Sequence, residues 1–170
     1  MKKTFALLLI AILTLTATAF AATYAHGDDI RFEYDENTFQ VTLDDHTDDE
    51  DLVVLTGRDA AWGETSIRIH LKDLEDNERF PTLESFTAMP GAGEVTQGEW
   101  NGFRDVFMYT VQNEGAASES YFVAPVIDDD GEIEDILTVV ITVSPIEDEA
   151  AAMARDDQIS AVLDSLKLDD

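Results

Sequence analysis

Asp128-Asp129-Asp130-Gly131-Glu132 sets four carboxylates around one glycine, a cluster of the kind that can turn oxygen ligands toward a calcium ion. An EF-hand does not fit it. With Gly131 at the sixth position of such a loop, the first and twelfth ligand positions fall on Val126 and Leu137, and neither side chain carries an oxygen. Asp128, Asp130 and Glu132 stand as candidate ligands of a looser calcium site, and the plainer expectation is an Asp-Gly hairpin turn.

A second acidic run, Asp44 to Asp51, holds six acids together with His46 and Thr47. Its field would concentrate divalent cations or basic partner segments. A flexible cluster lacks the fixed geometry of a dedicated site, so a hydrated loop is expected here. Acidic neighbours favour the protonated form of His46. His26, His46 and His70 have no second histidine at ligand spacing, and each is expected at the surface. No G-x-S-x-G elbow, phosphate-cradling glycine loop or H-E-x-x-H helix occurs, so no catalytic or cofactor-binding residue is nominated. Any acid/base pair would have to be picked from 37 acids, and nothing singles one out. Trp62 and Trp100 each precede a glycine-bearing turn. They are candidate partner anchors, with packing under the hairpin ends as the alternative.

Charge sets the wider frame. The 170 residues include 10 Lys+Arg against 37 Asp+Glu, a formal net charge of −27. Nucleic acid and anionic membranes would repel such a chain. The absence of cysteine rules out disulfides, thiolate metal sites and an acylated lipoprotein anchor. A hydrophobic share of 45% with nine Phe is too high for a disordered acidic chain, so a folded core is expected. Two readings of the acidity stay open, adaptation to a saline environment and plain solubility.

Lys2 and Lys3 precede the apolar stretch Phe5 to Leu13, and Ala19-Phe20-Ala21 offers the small-x-small pattern of a signal peptidase site. The apolar run is shorter than the roughly 20 residues that span a bilayer. Residues 1–21 are expected to be a removed signal peptide. Residues 22–170 are then one exported domain, periplasmic or secreted, with eight basic residues against 37 acids.

The pattern beyond it predicts strands. Ile30, Phe32 and Tyr34, then Phe39, Val41 and Leu43 after a turn at Asp35 to Thr38, read as a strand pair with one buried face each. Leu52 to Thr56 and Thr65 to Leu71 follow, the latter with Ile67, Ile69 and Leu71 inward. Phe80, Leu83 and Phe86 recur at helical spacing between Pro81 and Pro90. Asn101-Gly102 is the strongest local signal, a type I′ hairpin turn between Glu94–Trp100 and Phe103–Gln112. Ser118 to Ile127 and Ile136 to Val143 are further strands, and the second, apolar at nearly every position, has to be covered on both faces. Ile159, Val162, Leu163 and Leu166 mark a closing helix capped by Asp156 or Asp157, with a separate helical turn over Glu147 to Ala154. The expected class is α+β, a meandering antiparallel sheet with helices packed on it.

Ile30-Arg31-Phe32-Glu33-Tyr34 with Phe39-Gln40-Val41, and Ile159 through Leu168, resemble the opening strands and closing helix and strand of the PsbP-like superfamily, which includes the DcrB-like bacterial envelope proteins. The resemblance implies an α/β/α sandwich and a protein that binds or assists other proteins without a shared catalytic set. The leading expectation is a non-catalytic accessory or interaction domain with an envelope or extracellular protein partner. The alternatives are a low-affinity calcium binder that uses acidic loops and an envelope hydrolase with paired carboxylates.

Overall fold

The computed structural model describes residues 21–26, 30–75, 78–89, 91–112, 117–128 and 130–168. The expected leader, apart from Ala21, lies outside them, as does Asp129. In chain order the strands are β1 (Ala21–His26), β2 (Ile30–Asp35), β3 (Phe39–His46), β4 (Glu50–Gly57), β5 (Thr65–Asp73), β6 (Thr96–Trp100), β7 (Phe103–Gln112), β8 (Ser118–Ile127), β9 (Ile133–Val143) and β10 (Lys167–Leu168). A 3₁₀ turn (Ala60–Trp62) links β4 to β5, and the α-helices are α1 (Leu83–Thr87) and α2 (Glu149–Ser165).

Two antiparallel meanders, β3-β4-β5 and β6-β7-β8-β9, join along β5 and β9 into one seven-stranded sheet of order β3-β4-β5-β9-β8-β7-β6. A smaller sheet, β1-β2-β10, holds β2 between the two ends of the described chain. On the inner face of the large sheet, Ile67, Ile69, Leu137 and Val139 pack with Phe32 of β2 and Val162 of α2 in one core, all of them buried. Burial of each such side chain contributes about 1.5–3 kcal/mol. Strand β9 lies at the centre of the order, and its alternate residues serve both faces: Leu137, Val139 and Ile141 look inward, while Ile136 joins an outer cluster built on Phe86, Phe107, Tyr109 and Val123.

That outer cluster corrects the expected architecture. An α/β/α sandwich needs a helical layer on each side of the sheet, whereas strands here take up 55% and helices 19% of a β-rich, two-sheet fold. Helix α1 runs for only five residues, with Pro81 just before its N-cap Thr82. The outer face is therefore covered by an irregular connection that lays Phe80 and Phe86 over Phe107, with ring centroids 5.8 and 4.8 Å away. On the inner face, the small sheet shares the covering role with α2. The α+β layering expected from the sequence gives way to two sheets and one long helix.

Three local expectations also change. Strands β2 and β3 follow one another but belong to different sheets. The turn between them, closed by Thr38 N–H to Asp35 O at 2.9 Å, carries the chain from one layer to the next while Phe32 and Phe39 stay in the same core. Helix α2 runs unbroken from Glu149, because Asp148 Oδ1 accepts from Ala150 N–H and Ala151 N–H at 3.0 and 3.2 Å. Asp156 and Asp157 thus lie inside the helix. Third, a bulge between Val41 and Leu43 shifts the β3–β4 register. One extra residue reverses which face each later side chain meets, so Leu43 is 44% exposed.

The Asn101-Gly102 turn forms with positive φ at both residues, 49° and 87°. Asn101 Nδ2 also donates to Leu163 O at 2.9 Å and Leu166 O at 2.8 Å, two carbonyls at the end of α2, the first of which also accepts from Leu166 N–H at 3.2 Å.

Candidate functional site

The strand ends that carry acidic turns converge on a cleft of about 580 Å³. Backbone bonds bring them together: Asp73 N–H donates to Asp49 O at 3.0 Å, and Leu74 N–H to Glu134 O at 2.8 Å. The end of β5 thereby ties the β3–β4 hairpin to the β8–β9 hairpin. The first supplies Asp48, Glu50 and Asp51, β5 supplies Asp73, and the second supplies Asp128, Asp130, Glu134 and Asp135. Leu71, Val126, Ile127 and Leu168 give the cleft an apolar part. No basic side chain is among the described residues that line it. Asp73 and Asp135 even oppose each other in the β5–β9 ladder, an arrangement that costs stability unless something cationic or salt screens it. The nearby bases have acidic partners, His70 Nε2 with Glu50 Oε2 at 3.1 Å and Lys72 Nζ with Glu78 Oε2 at 3.0 Å.

The structure separates the three candidate calcium ligands. Asp128 and Asp130 line the cleft. Asp128 closes its own turn, with Oδ1 accepting from Glu132 N–H at 2.8 Å and its N–H donating to Glu132 O at 2.9 Å. Glu132 is exposed and is not among the lining residues. Among the described residues, no three His, Asp or Glu side chains are grouped so as to hold one metal ion. Trp62 is 4% exposed and packs on Phe39 at 5.7 Å, which leaves it little surface for a partner. Trp100 is half-buried over Phe122 at 4.7 Å.

The run from Asp44 to Asp51 is two strand ends and a short turn, where a hydrated loop was expected. The β3 bulge turns Asp44 and His46 toward the small sheet. There Tyr24 OH of β1 donates to Asp44 Oδ1 at 2.5 Å, His46 Nδ1 meets Asp51 Oδ1 at 2.6 Å, and His46 Nε2 contacts the same Asp44 oxygen. Burial works against a charge on His46, but the hydrogen bonds to Asp51 and Asp44 raise its pKa above the ordinary 6.5. Burial, with the bond to Asp44, pushes the Tyr24 hydroxyl well above its usual value.

Spacing could have revealed this grouping. Residues 44 and 46 share a strand face and 51 lies across a tight turn, but the bulge that selects the face left no mark in the hydrophobic alternation. Asp73, Glu134 and Asp135 also escaped notice, because only the β5–β9 pairing brings them to the other acids.

The chain matches no family model, no curated protein and no solved structure. The PsbP-like resemblance therefore rests on the residues of the opening strands and closing helix alone. No helix among the described residues is long and apolar enough to cross a membrane.

Proposed function

We propose that this is an exported, non-catalytic interaction domain whose acidic cleft takes a Lys- or Arg-bearing segment of an envelope or extracellular protein. One observation carries the reading: eight carboxylates and four apolar side chains line a single cleft, with no base among its described residues. Lysine and arginine match that lining, since their aliphatic stems pack on apolar surface while their charged heads seek carboxylates. Thr47, the hydroxyl residue among those lining residues, spends its Oγ1 on Glu50 O at 3.2 Å, a local bond that serves the turn. A complementary field of this kind favours fast, salt-sensitive association.

Titration of the full chain with a fluorescent Lys/Arg-rich peptide, a Glu-rich peptide and CaCl₂ at matched ionic strength tests the proposal. The basic peptide should bind, weaken as NaCl rises, and lose about tenfold in affinity in the triple variant Asp128→Asn, Asp130→Asn, Glu134→Gln, equivalent to about 1.4 kcal/mol. Equal binding of the two peptides, or an unchanged affinity in the variant, would remove the proposal. A calcium-specific rise in melting temperature without peptide binding would favour a calcium-binding role, for which Asp128 and Asp130 are the relevant cleft residues.

A further inference from the structure

We infer that His46 is a proton-operated latch that fastens the N-terminal strand β1 and the β3–β4 hairpin to each other, closed when the ring is an imidazolium and released when it loses its proton. The inference does not depend on what the cleft binds.

Hydrogen-bond chemistry carries it. An ionised carboxylate only accepts, and a neutral imidazole donates from one nitrogen and accepts at the other. Here a carboxylate oxygen lies within bonding reach of each ring nitrogen, Asp51 Oδ1 at Nδ1 and Asp44 Oδ1 at Nε2. A neutral ring would turn a lone pair toward one of those oxygens, whereas the imidazolium satisfies both. Among the described residues, groups that face it come from three strands: Asp44 from its own β3, Asp51 from β4 and Tyr24 from β1. The Tyr24 oxygen lies 2.5 Å from Asp44 Oδ1 and 3.4 Å from His46 Nε2, and Tyr34 of β2 adds to the electrostatic load on Tyr24. Across the ladder from Asp51, β5 contributes the apolar Leu71. The His46 and Asp51 side chains are 18% and 13% exposed, so water screens that pair little, whereas Asp44 is half exposed.

The latch joins two different sheets, since β1 belongs to the small sheet and the β3–β4 hairpin to the large one. Tyr24 is also stacked on Phe32, with ring centroids 4.7 Å apart, so release loosens β1 without unfolding the core. Folding raises the pKa of His46, so the stabilisation is complete below the ring's ordinary 6.5 and disappears as the pH climbs through the raised value.

The test is an NMR titration of the full chain, with the His46 ring signal assigned by its loss in His46→Gln, alongside amide-exchange protection over residues 22–25 from pH 6 to 9. His46 should titrate above 6.5. After correction for intrinsic exchange, opening of β1 should rise about tenfold for each unit by which the ring's pKa exceeds that value. Asp51→Asn should lower the ring's pKa, and His70→Gln, on β5 beside Glu50 of that hairpin, should keep the wild-type profile. Titration of His46 at or below 6.5 would overturn the inference. So would a pH profile of β1 protection that is the same in His46→Gln as in the wild type.

Discussion

The two edge hairpins of the large sheet are fastened to the inner layer by different chemistry. The β6–β7 tip is held by a neutral amide, with Asn101 Nδ2 spanning Leu163 O and Leu166 O. The β3–β4 end is held through charge, with Tyr24 OH on Asp44 and with His46 between Asp44 and Asp51. A neutral donor on a helix carbonyl is indifferent to pH and nearly so to salt, whereas an ionised trio holds only in one protonation state and in the field of the surrounding acids. One edge of the sheet is built to stay shut, and the other is conditional.

The largest effect expected from disturbing this contrast is at the neutral edge. Asn101→Ala removes two hydrogen bonds to the end of α2 and puts alanine at positive φ, and should cost about 2–3 kcal/mol in urea unfolding. The loss should be the same at pH 6 and pH 9. If it varied with pH, the two edges would not differ in kind. Asn101→Gly keeps the turn and gives up the helix contact, so it should cost less. Asp148→Ala, which uncaps α2 at its other end, should cost about 1 kcal/mol by the same measurement and leave β1 protection untouched.

The smallest effect belongs to the acidic strand ends at the cleft, where β5 meets β9. Asp73→Asn relieves the like-charge facing with Asp135 and should stabilise the protein by a few tenths of a kcal/mol at low salt, a gain that vanishes in molar NaCl. Thermal melts across NaCl check this. The wild type should rise more with salt than the variant, and parallel curves would show that the cleft charges are already compensated.

Much of the sheet was legible because alternation and turn chemistry are local. Ile67, Ile69 and Leu71 face the core as their period demands, and the positive φ at Asn101 and Gly102 follows from the dipeptide itself. Layering was not legible. The turn after Asp35 looks the same whether it joins partners in one sheet or passes the chain to another, and only the shared core of Phe32 and Phe39 decides between them. The helix was read as two pieces because the apolar stripe begins at Ile159, about three turns beyond the cap at Asp148. The first turns of α2 carry Ala-rich sequence, and their one deeply buried polar group, Arg155, is bonded to Ser144 O at 2.8 Å. The candidate cleft was half visible: both acidic hairpins stand out in the sequence, but their meeting depends on β5 and β9 pairing across a long connection.

Strand β2 receives β10 on its open side, and Ser165 Oγ accepts from Glu33 N–H at 2.8 Å across 132 positions of sequence. A ribosome has to reach residues 165–168 before that clasp can close. Until then β2 keeps a bare edge, and contacts of such long span are slow to form. Synthesis and assembly are thereby ordered in time, with the small sheet completed only after the residues of β10 have been made.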